Sequence, residues 1–257
     1  MLTKLKNAES IGLVLSGGGV RGMAHIGLIK AMQELGIKAH IISGSSVGAL
    51  VGALYANGNT VEEMLQFFKD TPLFKYNFLT ITKTGIINTD RYITLFKTYF
   101  PENSFQALEK ELHIVATNLQ KGDQEFFSSG ELIRPLLASA ALPPVFNPVC
   151  LNDQLYADGG IMNNFPLEPV TKRADFIIGS NVSIINKVPT KDLKSPIKLT
   201  GRITGLMVYA AVQQKLLSCD MMIAPPLIEH IGVLDRSNIE KAYTIGYDEA
   251  MRILTDA

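Results

Sequence analysis

Ile11-Gly12-Leu13-Val14-Leu15-Ser16-Gly17-Gly18-Gly19-Val20-Arg21-Gly22 is the stretch on which the fold turns. A short, mostly apolar run ends in three consecutive glycines, and Met23, Ile26, Leu28 and Met32 then recur at helical spacing as far as Gly36. The pattern reads as strand, glycine loop, helix. It is repeated at once: Ile37 to Ser43 is a second strand candidate, and Val47 to Asn57 a second helix closed by Asn57-Gly58. Two βα units in succession imply a parallel sheet with covering helices.

The same stretch carries the first candidate for chemistry. Gly17 to Gly22 satisfies G-x-G-x-x-G between a strand and a helix, the setting of a dinucleotide site. That reading needs a carboxylate near the end of the second strand to hold a ribose, and Ile42-Ser43-Gly44-Ser45-Ser46 stands there instead. A phosphate-binding P-loop fails too, since no Gly-Lys-Ser/Thr follows at the required spacing. What remains is a row of glycine amides at a helix N-terminus, a cradle suited to an anion such as a developing oxyanion.

One βα unit on, Gly44-Ser45-Ser46-Val47-Gly48 is a G-x-S-x-G at a strand-to-helix turn. It has two readings: a nucleophile elbow that thrusts Ser46 outward between small residues, or a glycine-rich turn where Ser45 or Ser46 only caps the helix. The upstream glycine loop favours the elbow. A serine hydroxyl needs a base. Asp158-Gly159-Gly160 offers a carboxylate on a turn after a short strand. Among His25, His40, His113 and His230, the first three fall at core or packing positions, and His230 alone comes late enough for a Ser, Asp, His order.

Farther along, Thr60 and Glu63 form a capping box for a helix to about Lys69. Residues 67–105 hold half of the chain's Phe and Tyr. Within them Tyr92, Leu95, Phe96, Tyr99 and Phe100 share one helical face, either a helix packed on the core or an apolar lid or cap facing lipid. Leu112–Asn118 and Gln124–Phe127 read as a hairpin, and Ser129 as the cap of a helix from about Glu131 to Ala141, halted by Pro143-Pro144. Gln154–Ala157 and Phe176–Asn181 read as strands, residues 186–201 as an exposed loop, and Ile203–Leu217 and Asn238–Leu254 as helices.

At 257 residues, with 47% hydrophobic and 19% charged residues and no linker or repeat, the expectation is one α/β domain over residues 1–257. Lys and Arg total 24 against 24 Asp and Glu, so no global field draws nucleic acid, and no basic stripe stands out. Cys150 and Cys219 make no disulfide framework, which suits a reducing compartment. The polar start and the interrupted apolar stretch Ile41–Ala56 point to a cytoplasmic protein, at most peripheral at a membrane.

Gly17-Gly18-Gly19-Val20-Arg21-Gly22, Gly44-Ser45-Ser46-Val47-Gly48, Ala138-Ser139-Ala140-Ala141-Leu142-Pro143 and Asp158-Gly159-Gly160, in this order and spacing, resemble the sequence blocks of the patatin-like phospholipases, over about Gly12 to Pro169. The tail from about Ile223 to Ala250 resembles the end of small single-domain bacterial members. The resemblance implies a three-layer α/β/α sandwich with a mostly parallel sheet and a Ser-Asp dyad without histidine. Ser46 would then be the nucleophile and Asp158 the base, with the amides of Gly18, Gly19 and Val20 as oxyanion donors. Gly17, Arg21, Gly22, Gly44, Gly48, Gly159 and Gly160 would support the motifs. For Arg21, bracing of the loop is favoured over contact with a lipid phosphate. The expected substrate is a lipid or other acyl ester, met in transient contact with a membrane, and neither acyl-transfer step needs a metal or cofactor. A soluble short-chain carboxylesterase or thioesterase, and a non-catalytic regulatory protein of the same fold, are the rival readings.

Overall fold

A computed structural model gives the fold and describes residues 2–71, 90–142 and 146–256. The strands are β1 Ile11–Leu15, β2 Ile41–Ser45, β3 Glu111–Asn118, β4 Asp123–Phe127, β5 Val149–Leu151, β6 Gln154–Ala157, β7 Phe176–Ser180 and β8 Met221–Ile223. The helices are α1 Leu2–Lys6, α2 Met23–Glu34, α3 Val47–Ala56, α4 Val61–Asp70, α5 Asp90–Tyr99, α6 Ile133–Ser139, α7 Gly160–Asn163, α8 Pro196–Leu216 and α9 Ile239–Asp256.

The described strands form one eight-stranded sheet in the order β5-β6-β3-β2-β1-β7-β8, with β4 also on β3. The run β3-β2-β1-β7-β8 is parallel, while β4, β5 and β6 pair antiparallel. Side chains alternate across the sheet as the pleat requires. Leu13, Leu15, Ile42, Ile114 and Ile178 enter the larger core with α2, α3, α4, α5 and α9. Val14, Ile41 and Ile177 enter a smaller one with Phe165, Val170 and Val212 of α8. The layers are therefore helix, sheet, helix, as the glycine-block resemblance implies.

Helices α2 and α9 meet backbone to backbone. A methyl group on Gly27 would lie 2.3 Å from the Tyr243 carbonyl oxygen, and one on Gly246 would lie 2.2 Å from that of Ala24. Thr60 and Glu63 form the expected capping box at α4.

Several boundaries differ from the sequence reading. Strand β2 begins at Ile41 and runs to Ser45, directly against Ser46, because Gly36 to His40 form the turn between α2 and the sheet. Helix α6 starts at Ile133, not after Ser129. Strands β5 and β8 are too short to show a period, and α8 begins inside the stretch read as a loop. Phe67, Phe68, Phe96 and Phe100 are buried in the larger core, with Phe67 edge-on to Phe96 and Tyr99, so this part of the aromatic segment packs as core. Phe74, Tyr76, Phe78 and Pro143-Pro144 lie outside the described residues.

Candidate active site

Strand order places the site. The glycine loop leaves the carboxyl end of β1, and Ser46 leaves that of its parallel neighbour β2. Beyond β3, the antiparallel β6 ends at Ala157, opposite Thr117, which delivers Asp158 to the same rim. Clefts in open α/β sheets form where such carboxyl ends gather.

Ser46 has φ 53° and ψ −125°, a left-handed conformation unusual for a non-glycine residue. Gly44 and Gly48 make it feasible. A methyl group on Gly44 would lie 2.5 Å from the Gly48 carbonyl, and one on Gly48 would lie 2.3 Å from the Leu15 carbonyl oxygen. Ser46 thus sits at a strained strand-to-helix elbow, and its side chain makes no capping hydrogen bond to α3. Ser45, the other candidate cap, is buried with its hydroxyl unpartnered among the described residues.

The Ser46 hydroxyl donates to Asp158 Oδ2 at 2.6 Å, and Gly160 N–H donates to Asp158 Oδ1 at 2.7 Å. Asp158 is only 4% exposed. Burial raises its carboxyl from 3.8 to about 6, against the opposing pull of the Ser46 and Gly160 hydrogen bonds. At neutral pH it is mostly ionised yet basic enough to accept a proton. Thr117 Oγ1 donates to the Asp158 carbonyl at 2.8 Å and fixes the turn.

Two of the three expected amide donors are available. Among the described residues, no hydrogen-bond partner takes the N–H of Gly18 or Gly19, whereas Val20 N–H donates to the Val233 carbonyl at 2.8 Å. Val20 is therefore a corrected assignment, because its donor is spent on holding the loop. Arg21 braces from the same side: its Nε donates to the Ile231 carbonyl at 2.7 Å and Nη2 to that of Glu229 at 3.0 Å. From the other side Ser183 Oγ donates to the Gly17 carbonyl at 2.8 Å, and Asn164 Nδ2 donates to Ser183 Oγ. Gly17, Gly22, Gly159 and Gly160 all sit where a methyl group would come within 3 Å of a neighbour.

The third block connects the second and the fourth. Ser139 Oγ accepts the Ser46 N–H at 2.9 Å, while the carbonyls of Ser139 and Ala141 accept the N–H groups of Gly159 and Asp158. In the sequence Ser139 stands only as a member of its block, without this role, and Asn164, Ser183 and the carbonyls of 229–233 escape the sequence reading; the one signal for them is the closeness of Asn164 to the Asp158 block.

No histidine touches the pair among the described residues. His25 is buried, its Nε2 donating to the Ser16 carbonyl and its Nδ1 accepting from Ser180, and burial pushes it down to about 4. His40 Nδ1 accepts from Ile11 N–H, and His113 meets Glu111 and Arg173. His230 is exposed and absent from the cleft wall.

Ser46, Asp158, Gly18 and Gly19 open onto a cleft of about 810 Å³. Leu50, Leu142, Phe146, Ile161, Ile184 and Met207 are among the apolar groups of its wall. Among the described residues no group of three or more His, Cys, Asp or Glu side chains is gathered as metal ligands would be.

A family model described as patatin-like phospholipase matches residues 13–171, which include the glycine loop, the elbow and the Asp158 turn. The chain belongs to that family. This patatin-like chain is 28% identical over 272 residues to lysophospholipase nte1 of Emericella nidulans, covering 93% of this chain and 18% of that protein. It is 33% identical over 188 residues to lysophospholipase nte1 of Aspergillus fumigatus, covering 69% of this chain and 12% of that protein. It thus spans less than a fifth of the length of these curated relatives. Among solved structures, VipD from Legionella pneumophila shares the patatin-like fold with a TM-score of 0.57 at 19% identity, over 96% of this chain and 67% of that one.

Proposed function

We propose that the protein is a serine acyl-ester hydrolase acting on lipids, through a Ser46–Asp158 dyad and an oxyanion hole made by Gly18 and Gly19. The observation that carries this reading is the 2.6 Å hydrogen bond from a strained serine to a buried carboxylate, both lining a mostly apolar cleft. Family membership and relatives named lysophospholipase support it.

Ser46 Oγ attacks the ester carbonyl carbon as its proton passes to Asp158 Oδ2. The carbonyl π electrons move onto oxygen, where the Gly18 and Gly19 amides hold the charge, each such donor contributing about 10²–10³ in rate. Collapse breaks the bond to the alcohol, which leaves with the proton from Asp158. Water then repeats the attack on the acyl-Ser46 ester, giving its proton to Asp158, and the second collapse frees the fatty acid and returns that proton to Ser46. A carboxylate poised near 6 suits both directions of transfer. Burial, rather than a histidine, makes an aspartate strong enough for the task.

The apolar wall favours a long acyl chain over the short soluble esters of the rival reading. The test is labelling with a fluorophosphonate, together with kcat/KM over a series of acyl-chain lengths on lipid and nitrophenyl esters. Labelling at Ser46 with a preference for long chains is the expected result. A short-chain optimum makes the protein a soluble-ester hydrolase, and absence of labelling in the folded protein removes the enzyme reading.

A further inference from the structure

Helix α8 forms part of the cleft wall through Gly201, Arg202, Thr204, Gly205, Met207 and Val208. Among the described residues of this helix only Val212 is buried in a core, yet its opposite face is apolar as well. Leu199, Ile203, Leu206, Met207 and Ala210 follow i, i+4, i+7, i+8, i+11 and so form one stripe, and all five are exposed, Met207 by 69%. A helix that is apolar on both faces belongs in a core or against another apolar phase. Leu142, Ile161 and Val233, also exposed, line the same cleft, so the apolar stripe continues into its mouth. Contiguous exposed apolar surface of this kind marks a contact site.

Charge selects the partner. Between Lys187 and Lys215 the sequence holds Lys187, Lys191, Lys194, Lys198, Arg202 and Lys215 and a single acid, Asp192. Arg202 pairs with Glu229 and Lys215 with Glu168. The lysines at 187, 191, 194 and 198 are exposed and take part in none of the ion pairs among the described residues. The sequence reading found no basic stripe because the chain as a whole is neutral and these cations are spread over a loop and a helix. A second copy on the same face would set lysines against lysines. Among the described residues no helix is long and apolar enough to cross a membrane, so the stripe fits contact with a surface.

We propose that the outer face of α8, with Lys187, Lys191, Lys194 and Lys198 beside it, docks on an anionic lipid bilayer and sets the mouth of the cleft against the acyl chains. The proposal deepens the lipid-hydrolase reading and rests on it. Leu199, Ile203 and Leu206 enter the headgroup boundary while the lysines meet lipid phosphates.

Ser46→Ala protein, which binds without turnover, is sedimented with vesicles of phosphatidylcholine and of phosphatidylcholine with phosphatidylglycerol. It should partition onto the anionic vesicles and dissociate with added salt. Combining Lys191→Gln, Lys194→Gln and Lys198→Gln should lower the partition coefficient roughly a hundredfold, and Ile203→Ser with Leu206→Ser about tenfold or more. In the Ser46-intact background the same changes should leave hydrolysis of a monomeric nitrophenyl ester unaltered. Equal binding to both vesicles, or variants that bind like the parent, overturns the proposal. So does loss of self-association, instead of vesicle binding, in sedimentation velocity. Anionic-vesicle binding without hydrolysis of any lipid ester refutes the enzyme reading and leaves docking standing, whereas lipid hydrolysis without vesicle binding does the reverse.

Discussion

Ser139 Oγ accepts the backbone N–H of Ser46 at 2.9 Å, which ties helix α6 to the strained elbow. Ser139 is wholly buried, and its own carbonyl holds the turn after Asp158. One residue outside the hydrogen-bonded Ser46–Asp158 pair therefore fixes the relative position of the two. Ser139→Ala should leave the half-buried Ser46 N–H without its acceptor, at a cost of about 1 kcal/mol. It should lower kcat and the rate of fluorophosphonate labelling together, with little change in KM. A KM effect alone would show that Ser139 only shapes the acyl pocket.

Adjacent serines should respond in opposite ways. Ser46→Ala removes the nucleophile, and because Ala meets the same backbone strain as Ser, the melting temperature should stay within a few degrees while turnover and labelling disappear. Ser45 has a buried hydroxyl with no partner among the described residues, so Ser45→Ala should be active and equally or slightly more stable. Persistent labelling of the Ser46→Ala protein would place the nucleophile elsewhere.

The pH dependence has a defined sign. The acid limb of kcat/KM should fall with an apparent pKa of about 6, as Asp158 takes up a proton and ceases to be a base. Asp158→Asn should cost orders of magnitude in kcat. His230→Ala should cost nothing comparable. Equal losses from His230→Ala and Ser46→Ala, in folded protein, would replace the dyad with a triad.

Stability should change differently from activity. Asp158 is raised from 3.8 to about 6, so its favourable contribution is complete below about pH 4 and is lost as pH rises through 6. His25 is lowered from 6.5 to about 4, so its contribution is complete above about pH 6.5 and is lost as pH falls towards 4. Each amounts to about 3 kcal/mol at most, and in the same window they oppose one another. Asp158→Asn should therefore be more stable than the parent at pH 7. It should also lose stability more steeply between pH 6.5 and 4, as thermal melts across that range would reveal. A variant no more stable at pH 7 would mean that Asp158 is better solvated than its burial implies.

Gly19→Ala tests the loop. The added methyl would lie 2.2 Å from the Val233 carbonyl oxygen, at a φ of 59°. It should push away the segment that holds Val20 and misplace the donors at Gly18 and Gly19, with loss of kcat exceeding any loss of melting temperature. Normal kcat would remove these amides from the oxyanion role.

The parts of the site legible in the sequence are those whose chemistry requires rare residues at fixed local spacing. Gly44 and Gly48 flank Ser46 because two backbones pass within touching distance, and that requirement is written in five consecutive letters. The fold followed from the same logic, since β1 and β2 with their helices form two local units. Val233, Ile231 and Glu229 left no such trace. They act through carbonyl oxygens, which every residue has, and Ile231 lies 210 residues from the arginine it receives. The outer face of α8 was hidden for a related reason. A helix apolar on both sides has no clear amphipathic period, and a pattern-based reading assigns it to the interior.

The brace on the glycine loop has a consequence for synthesis. A nascent chain that has reached the end of the family match at residue 171 already contains Ser46 and Asp158, but not the carbonyls that Val20 and Arg21 require. The anion cradle is completed only when Val233 has left the ribosome and α9 has closed over α2. A product released before Val233 would thus hold both Ser46 and Asp158 around an unfinished cradle, so the two halves of the site depend on segments made far apart in time.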